Sequence, residues 1–126
     1  MVVYQEHSKR KVSGGRYVPA RKKILANMGS MPAFTKLGET KVKIKRKLGG
    51  TLKSSIFSAN KINVLNPKTK KSQVTEIVSV IENPSNRNFV RRSIITKGAI
   101  LETKLGKVKV TSRPGQEGTF NGILIA

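Results

Sequence analysis

Apolar and charged residues alternate strictly over residues 41–45, where Val42 and Ile44 separate Lys41, Lys43 and Lys45. A period of two predicts a β-strand with one face that packs and one that presents ammonium groups. Gly49-Gly50 interrupts this strand, and residues 51–58 and 61–65 are the next β candidates. The polar run Asn66-Pro67-Lys68-Thr69-Lys70-Lys71 predicts a turn, with residues 72–81 returning as the second arm of a hairpin. Asn83-Pro84 predicts a helix start, because Asn caps free amides and Pro loses nothing at the first helical position. One or two turns are expected over residues 84–92. The strand pattern resumes at 94–96, 99–105 and 107–111 around Lys97-Gly98 and Gly106, and residues 119–125 supply a closing strand. Phe57, Phe89 and Phe120 are the aromatic core candidates. The expected fold is all-β: a small closed or nearly closed β-barrel with one short helical turn.

Residues 1–35 sustain neither period. They hold Lys9-Arg10-Lys11, Arg16 and Arg21-Lys22-Lys23 between Gly14-Gly15, Pro19 and Pro32. This reads as an extended basic N-terminal arm, disordered alone and ordered on a partner, because it cannot bury enough apolar surface to offset its ordering entropy. A short helix at residues 21–26 is compatible with the pattern. The expected division is an arm over residues 1–38 and a barrel over residues 39–126.

With 126 residues there is no room for a second independent core. Charge then narrows the partner: 26 Lys and Arg face six Glu, a formal net charge of +20. An ordinary small domain carries a net charge of roughly 2 to 8 in magnitude. Such an excess opposes compaction in the free chain, whereas phosphates that accept it release condensed counterions. Nucleic acid is therefore the expected partner. Residues 1–53 contribute 14 of these cations and two Glu, net +12, against net +8 for residues 54–126.

Other chemistries find little support. A membrane role calls for an apolar anchor, a lipidation signal or a basic amphipathic helix, and none is visible. The chain is expected to be soluble, intracellular and without a membrane partner. It contains no Cys and no Asp, and His7 is its single His. No thiolate or imidazole metal site, cofactor site or small-molecule site is expected. Glu6, Glu39, Glu76, Glu82, Glu102 and Glu117 are scattered, which suits ion pairing with Lys and Arg better than acid–base catalysis.

The candidate nucleic-acid-binding positions are all polar, flexible or aromatic. In the arm they are His7, Lys9, Arg10, Lys11, Gly14, Gly15, Arg16, Tyr17, Arg21, Lys22 and Lys23. Gly14-Gly15 allows close approach to a sugar-phosphate chain, or is a plain hinge. Tyr17 is a candidate for stacking, and His7 for a phosphate or base contact. The first strand and its turn add Lys41, Lys43, Lys45, Arg46 and Lys47. Arg87, Arg91 and Arg92 suit bidentate phosphate contacts or stacking on splayed bases, or else tie the helix to the barrel. Lys97 completes the set with Arg113 and Gln116, which the Arg113-Pro114-Gly115-Gln116-Glu117-Gly118 turn leaves free to reach a partner. These features admit three readings: an RNA-binding structural protein, a DNA-architectural protein indifferent to sequence, and, least supported, an enzyme acting on RNA.

Several segments, in order, resemble one family. They are Ser8-Lys9-Arg10-Lys11-Val12-Ser13-Gly14-Gly15-Arg16, Arg21-Lys22-Lys23, Glu82-Asn83-Pro84-Ser85-Asn86-Arg87 and Phe89-Val90-Arg91-Arg92. Ile94-Ile95-Thr96-Lys97-Gly98-Ala99 and Val110-Thr111-Ser112-Arg113-Pro114-Gly115-Gln116-Glu117-Gly118 complete the match. Nearly the whole chain thereby resembles the archaeal and eukaryotic small-subunit ribosomal protein family numbered eight with the suffix e. It looks like the short archaeal form, without the long eukaryotic insertion after the middle strands. Tyr4-Gln5-Glu6 and Thr51 depart from the usual pattern, which has Trp and Gly near the start and Asn after the Gly-Gly. The resemblance implies a β-barrel with a basic extension embedded in small-subunit rRNA, neighbouring ribosomal proteins as partners, and a place in the cytoplasmic ribosome.

Overall fold

The computed structural model describes residues 3–125. Met1 and Val2 of the expected arm and Ala126 of the expected barrel domain lie outside the described residues. The chain divides into two compact units, Met1–Pro32 and Ala33–Ala126.

In the first unit, strand β1 (Val3–Tyr4) pairs antiparallel with β2 (Met28–Gly29). A single 3-10 turn, Leu25–Asn27, leads into β2 and stands where a short helix at 21–26 was expected. Gln5 N–H donates to Asn27 O at 3.0 Å, and Asn27 Nδ2 donates to Glu6 Oε1 at 3.2 Å. The unit therefore has local backbone pairing that an extended arm would lack. Strands of two residues are too short to print a period in the sequence.

The second unit begins its strands with β3 (Lys36–Leu37), β4 (Lys41–Arg46), β5 (Leu52–Ala59), β6 (Lys61–Asn66) and β7 (Lys71–Glu82). Helix α1 (Arg87–Arg91) follows, then β8 (Ile100–Thr103), β9 (Gly106–Val110) and β10 (Asn121–Leu124). Five of these strands close a barrel in the order β10-β6-β7-β8-β9. The all-β expectation and the closure both hold. Alternation built the wall: Ile62 and Val64 of β6 point inward and Lys61, Asn63 and Leu65 outward, as do Val108 and Val110 against Lys107 and Lys109 in β9. Leu101, Ile95, Ala99 and Phe120 complete an interior in which Leu101 and Val108 are 0% exposed. Each such aliphatic side chain contributes about 1.5–3 kcal/mol relative to leaving it in water. Strand β7 spans both neighbours, pairing with β6 through residues 71–76 and with β8 through residues 77–82. Register shifts at 77/79 and 80/82 increase its twist and let it turn from one to the other.

Beside the barrel, β3, β5 and β4 form a three-stranded sheet, β3 parallel and β4 antiparallel to β5. Thr35 anchors it: its hydroxyl donates to Ile56 O at 2.8 Å, and its carbonyl accepts from Ile95 N–H at 2.8 Å. Here one expectation fails. Val42 and Ile44 were to pack inward, yet they are 46% and 65% exposed on β4, the edge strand of this small sheet. Phe57 is also not core: Ile56 points inward, so its successor points to solvent. Phe89 is only partly buried and packs edge-on against Phe34, while Phe120 is buried as expected.

The helix starts later than Asn83-Pro84 suggested. Asn86 caps it, accepting from Asn88 N–H at 2.9 Å. Asn83 is buried and bridges two segments instead, its Nδ2 donating to Ile94 O at 3.1 Å while Oδ1 accepts from Ser85 N–H and the Thr96 hydroxyl. Residues 94–96, expected as a strand, make a single bridge from Ile94 to Lys36 and are held by this node. Asn83→Ala leaves the Ile94 carbonyl without its partner, and the expected loss is about 1–3 kcal/mol, read by denaturant unfolding.

Candidate nucleic-acid interface

In the first unit the chain doubles back over residues 9–17. Arg10 and Arg16 form an antiparallel bridge, Lys11 N–H donates to Gly15 O at 2.8 Å, and Tyr17 N–H donates to Lys9 O at 3.0 Å. Gly14, at φ 84, supplies the left-handed residue of this tight turn, and nothing lies within 4 Å of the place its Cβ would occupy. The turn leaves open backbone flanked by Lys9, Arg10, Lys11 and Arg16, all exposed. Tyr17 is exposed too, with His7 edge-on at 5.1 Å between ring centroids and Lys11 Nζ 5.5 Å from its ring. His7, Ser8, Arg10 and Tyr17 together line a shallow, open depression. Arg21, Lys22 and Lys23 line a second with Pro19 and Ala20, and Lys23 Nζ stands 4.9 Å from the Tyr4 ring.

In the second unit the β4–β5 hairpin carries the densest charge. Gly49 and Gly50, at φ 79 and 82, turn the chain so that Lys45 falls opposite Lys53 and Lys43 opposite Ser55. Lys53 was missed in the sequence, though pairing about the Gly-Gly pair places it there. Lys41, Lys43, Lys45, Arg46 and Lys47 are all exposed. On α1, Arg87 and Arg91 stand four residues apart and so share one face, while exposed Arg92 follows at the C-cap. Phe89, packed on Phe34, ties the helix down and leaves the guanidinium groups outside. Exposed Lys97 sits in the turn before Gly98.

Arg113 and Gln116 are both exposed, and Gln116 Oε1 accepts from Lys53 Nζ. The loop around it is a structural turn against β5, with Pro114 O accepting from Ile56 N–H at 2.9 Å. Among the described residues no group of three His, Cys, Asp or Glu comes together. Glu76 pairs with Lys104 at 2.5 Å, and the ammonium group holds its carboxyl below the ordinary value. Its contribution is present above the ordinary carboxylate pKa and is lost as pH falls through the lowered one.

A family model described as "Ribosomal protein S8e" matches residues 4–125. Among curated proteins, the "Small ribosomal subunit protein eS8" of Methanobrevibacter smithii is 51% identical over 125 residues, covering 99% of this chain and 100% of that protein. The protein of the same name from Nanoarchaeum equitans is 48% identical over 122 residues, 97% of this chain and 96% of its own. That from Methanococcus aeolicus is 47% identical over 126 residues, 99% and 98% of the two chains.

Proposed function

This chain belongs to the ribosomal protein S8e family, and from that membership we propose that it is a non-enzymatic structural constituent of the small ribosomal subunit that binds and stabilises small-subunit rRNA through phosphate contacts. One observation carries the reading: every cation singled out in the sequence is exposed, in both units. The second unit alone holds 19 of the 26 Lys and Arg against five Glu. Like charges so crowded need neutralisation from outside, and phosphate supplies it with release of counterions. Neighbouring proteins of the subunit are the further partners, and the ribosome of the cytoplasm is its place. No helix among the described residues is long and apolar enough to cross a membrane.

If 6 to 10 phosphates are contacted, affinity for small-subunit rRNA falls roughly 10³- to 10⁵-fold between 50 and 200 mM salt. A nearly flat dependence refutes the reading, and equal affinity for duplex DNA of the same length supports a DNA-architectural role. Placed contacts are separated from bulk charge by two variants that remove the same formal charge. Arg87→Ala with Arg91→Ala is expected to cost about 2 kcal/mol more binding energy than Lys107→Ala with Lys109→Ala, because a guanidinium makes bidentate contacts that an ammonium does not. Equal losses at one salt concentration would make the helix generic basic surface.

A further inference from the structure

We propose that the β4–β5 hairpin binds double-stranded RNA with its apolar face, laying Val42, Ile44 and Leu52 into the shallow minor groove while its cations hold the flanking phosphates. This rests on the rRNA-binding reading above and adds to it a form of RNA and a face of the protein.

The register separates the two faces. Val42 stands opposite Ile56, Ile44 opposite Ser54 and Arg46 opposite Leu52, so Val42, Ile44 and Leu52 share one side. Lys43 opposite Ser55 and Lys45 opposite Lys53 form the other. The apolar side begins at Ile56, 2% exposed in the core, and runs off it: Val42 is 46% exposed, Ile44 65% and Leu52 68%, with Leu48 at the hairpin tip wholly exposed. On this side only Ser54, opposite Ile44, is approached closely, by Gly118, while the three apolar side chains stay exposed. Contiguous apolar surface of this kind marks a contact with another molecule.

Charge decides which molecule. The hairpin carries Lys41, Lys43, Lys45, Arg46, Lys47 and Lys53, and between Glu39 and Glu76 the sequence has no acidic residue. An occupant must therefore offer apolar surface bordered by dense negative charge. The minor groove of A-form RNA does so: it is wide and shallow, it displays riboses and base edges, and rows of phosphate bound it. The major groove of the same helix is too deep and narrow for side chains to read. A two-stranded ribbon laid flat in the minor groove sets its aliphatic side chains on the riboses. The long stem of Lys43 carries its ammonium group around the ribbon to a phosphate, while Lys53 is held by Gln116. Arg46, on the apolar side, reaches the groove wall directly.

The test uses the full chain and three probes: an RNA duplex of about two turns, one of its strands alone, and naked small-subunit rRNA. Ile44→Ser with Leu52→Ser keeps the charge and alters only exposed side chains, so the unfolding temperature is expected to stay unchanged. Duplex affinity should fall about tenfold or more with the salt slope intact, as lost apolar burial predicts. Lys43→Gln with Lys47→Gln should instead make the slope shallower. Wild-type chain should prefer the duplex to the single strand. Wild-type duplex affinity in the serine variant overturns the inference, and if incorporation into subunits falls at the same time, a neighbouring protein covers the stripe. Weak, salt-insensitive binding of wild-type chain to naked rRNA would instead sink the rRNA-binding reading itself.

Discussion

A chain lacking residues 1–32 is expected to unfold cooperatively, with a midpoint near that of the full chain, and to bind small-subunit rRNA far more weakly. The cut falls at the boundary between the two compact units and removes seven Lys and Arg with one Glu. The slope of log affinity against log salt should become shallower by about 0.7–0.9 for each phosphate these cations contact, up to roughly 5 to 6 if all seven engage. The position of the cut matters. Removing Thr35 as well takes away the hydroxyl that holds Ile56 O and the carbonyl that holds Ile95 N–H, both in the interior of the second unit. A truncation at residue 35 should therefore lower the unfolding midpoint, whereas one at residue 32 should not. Loss of the cooperative transition at the earlier cut would make the first unit part of the folding core. An unchanged salt slope would remove it from the RNA interface.

The largest effect on stability is expected from Gly122→Val. Gly122 lies in β10 between Val64 of β6 and Val110 of β9. A Cβ there would meet Val108 Cγ1 at 2.5 Å, Lys109 O at 3.0 Å and Ile62 Cδ1 at 3.1 Å. The position needs glycine for space, since its backbone is not left-handed. A valine must either push Val108 from a fully buried site or part β10 from the barrel, at a cost of about 3 kcal/mol or more. For a domain of this size the midpoint of thermal unfolding should drop by roughly 10 to 20 °C. Val108→Ala should restore part of the loss in Gly122→Ala, because it deletes the nearest clashing atom. Additive losses in the double variant would place the strain on Lys109 O instead.

What the sequence revealed divides along a physical line. Alternation within a strand is local, and so the barrel walls could be read from pairs such as Ile62 and Val64 or Val108 and Val110. What covers a face is not local. Val42 and Ile44 alternate as cleanly as those pairs do, yet both are exposed. The same limit misplaced Phe57, whose hydrophobicity predicts burial while its parity in β5 turns it outward. Asn83 failed differently: Asn before Pro has a strong capping preference, but its partners Ile94 and Thr96 arrive from 11 and 13 residues downstream. At the candidate interface, exposure of the cations was legible because charge resists burial. The tie between Gln116 and Lys53 was not, since it spans 63 residues.

The place of β10 fixes an order of events during synthesis. This strand enters between β6, to which it is parallel, and β9, and Asn121 meets Asn63 from 58 residues away. At a synthesis rate of roughly 5–20 residues per second, the β6 edge waits about 3 to 12 s for its final neighbour. Over that interval the nascent chain has an unpaired strand edge open to other chains, while the cations of residues 9–23 have already been made. The tempo of translation thus leaves a window in which the basic segment of residues 9–23 precedes the finished barrel, whose closure depends on long-range pairing.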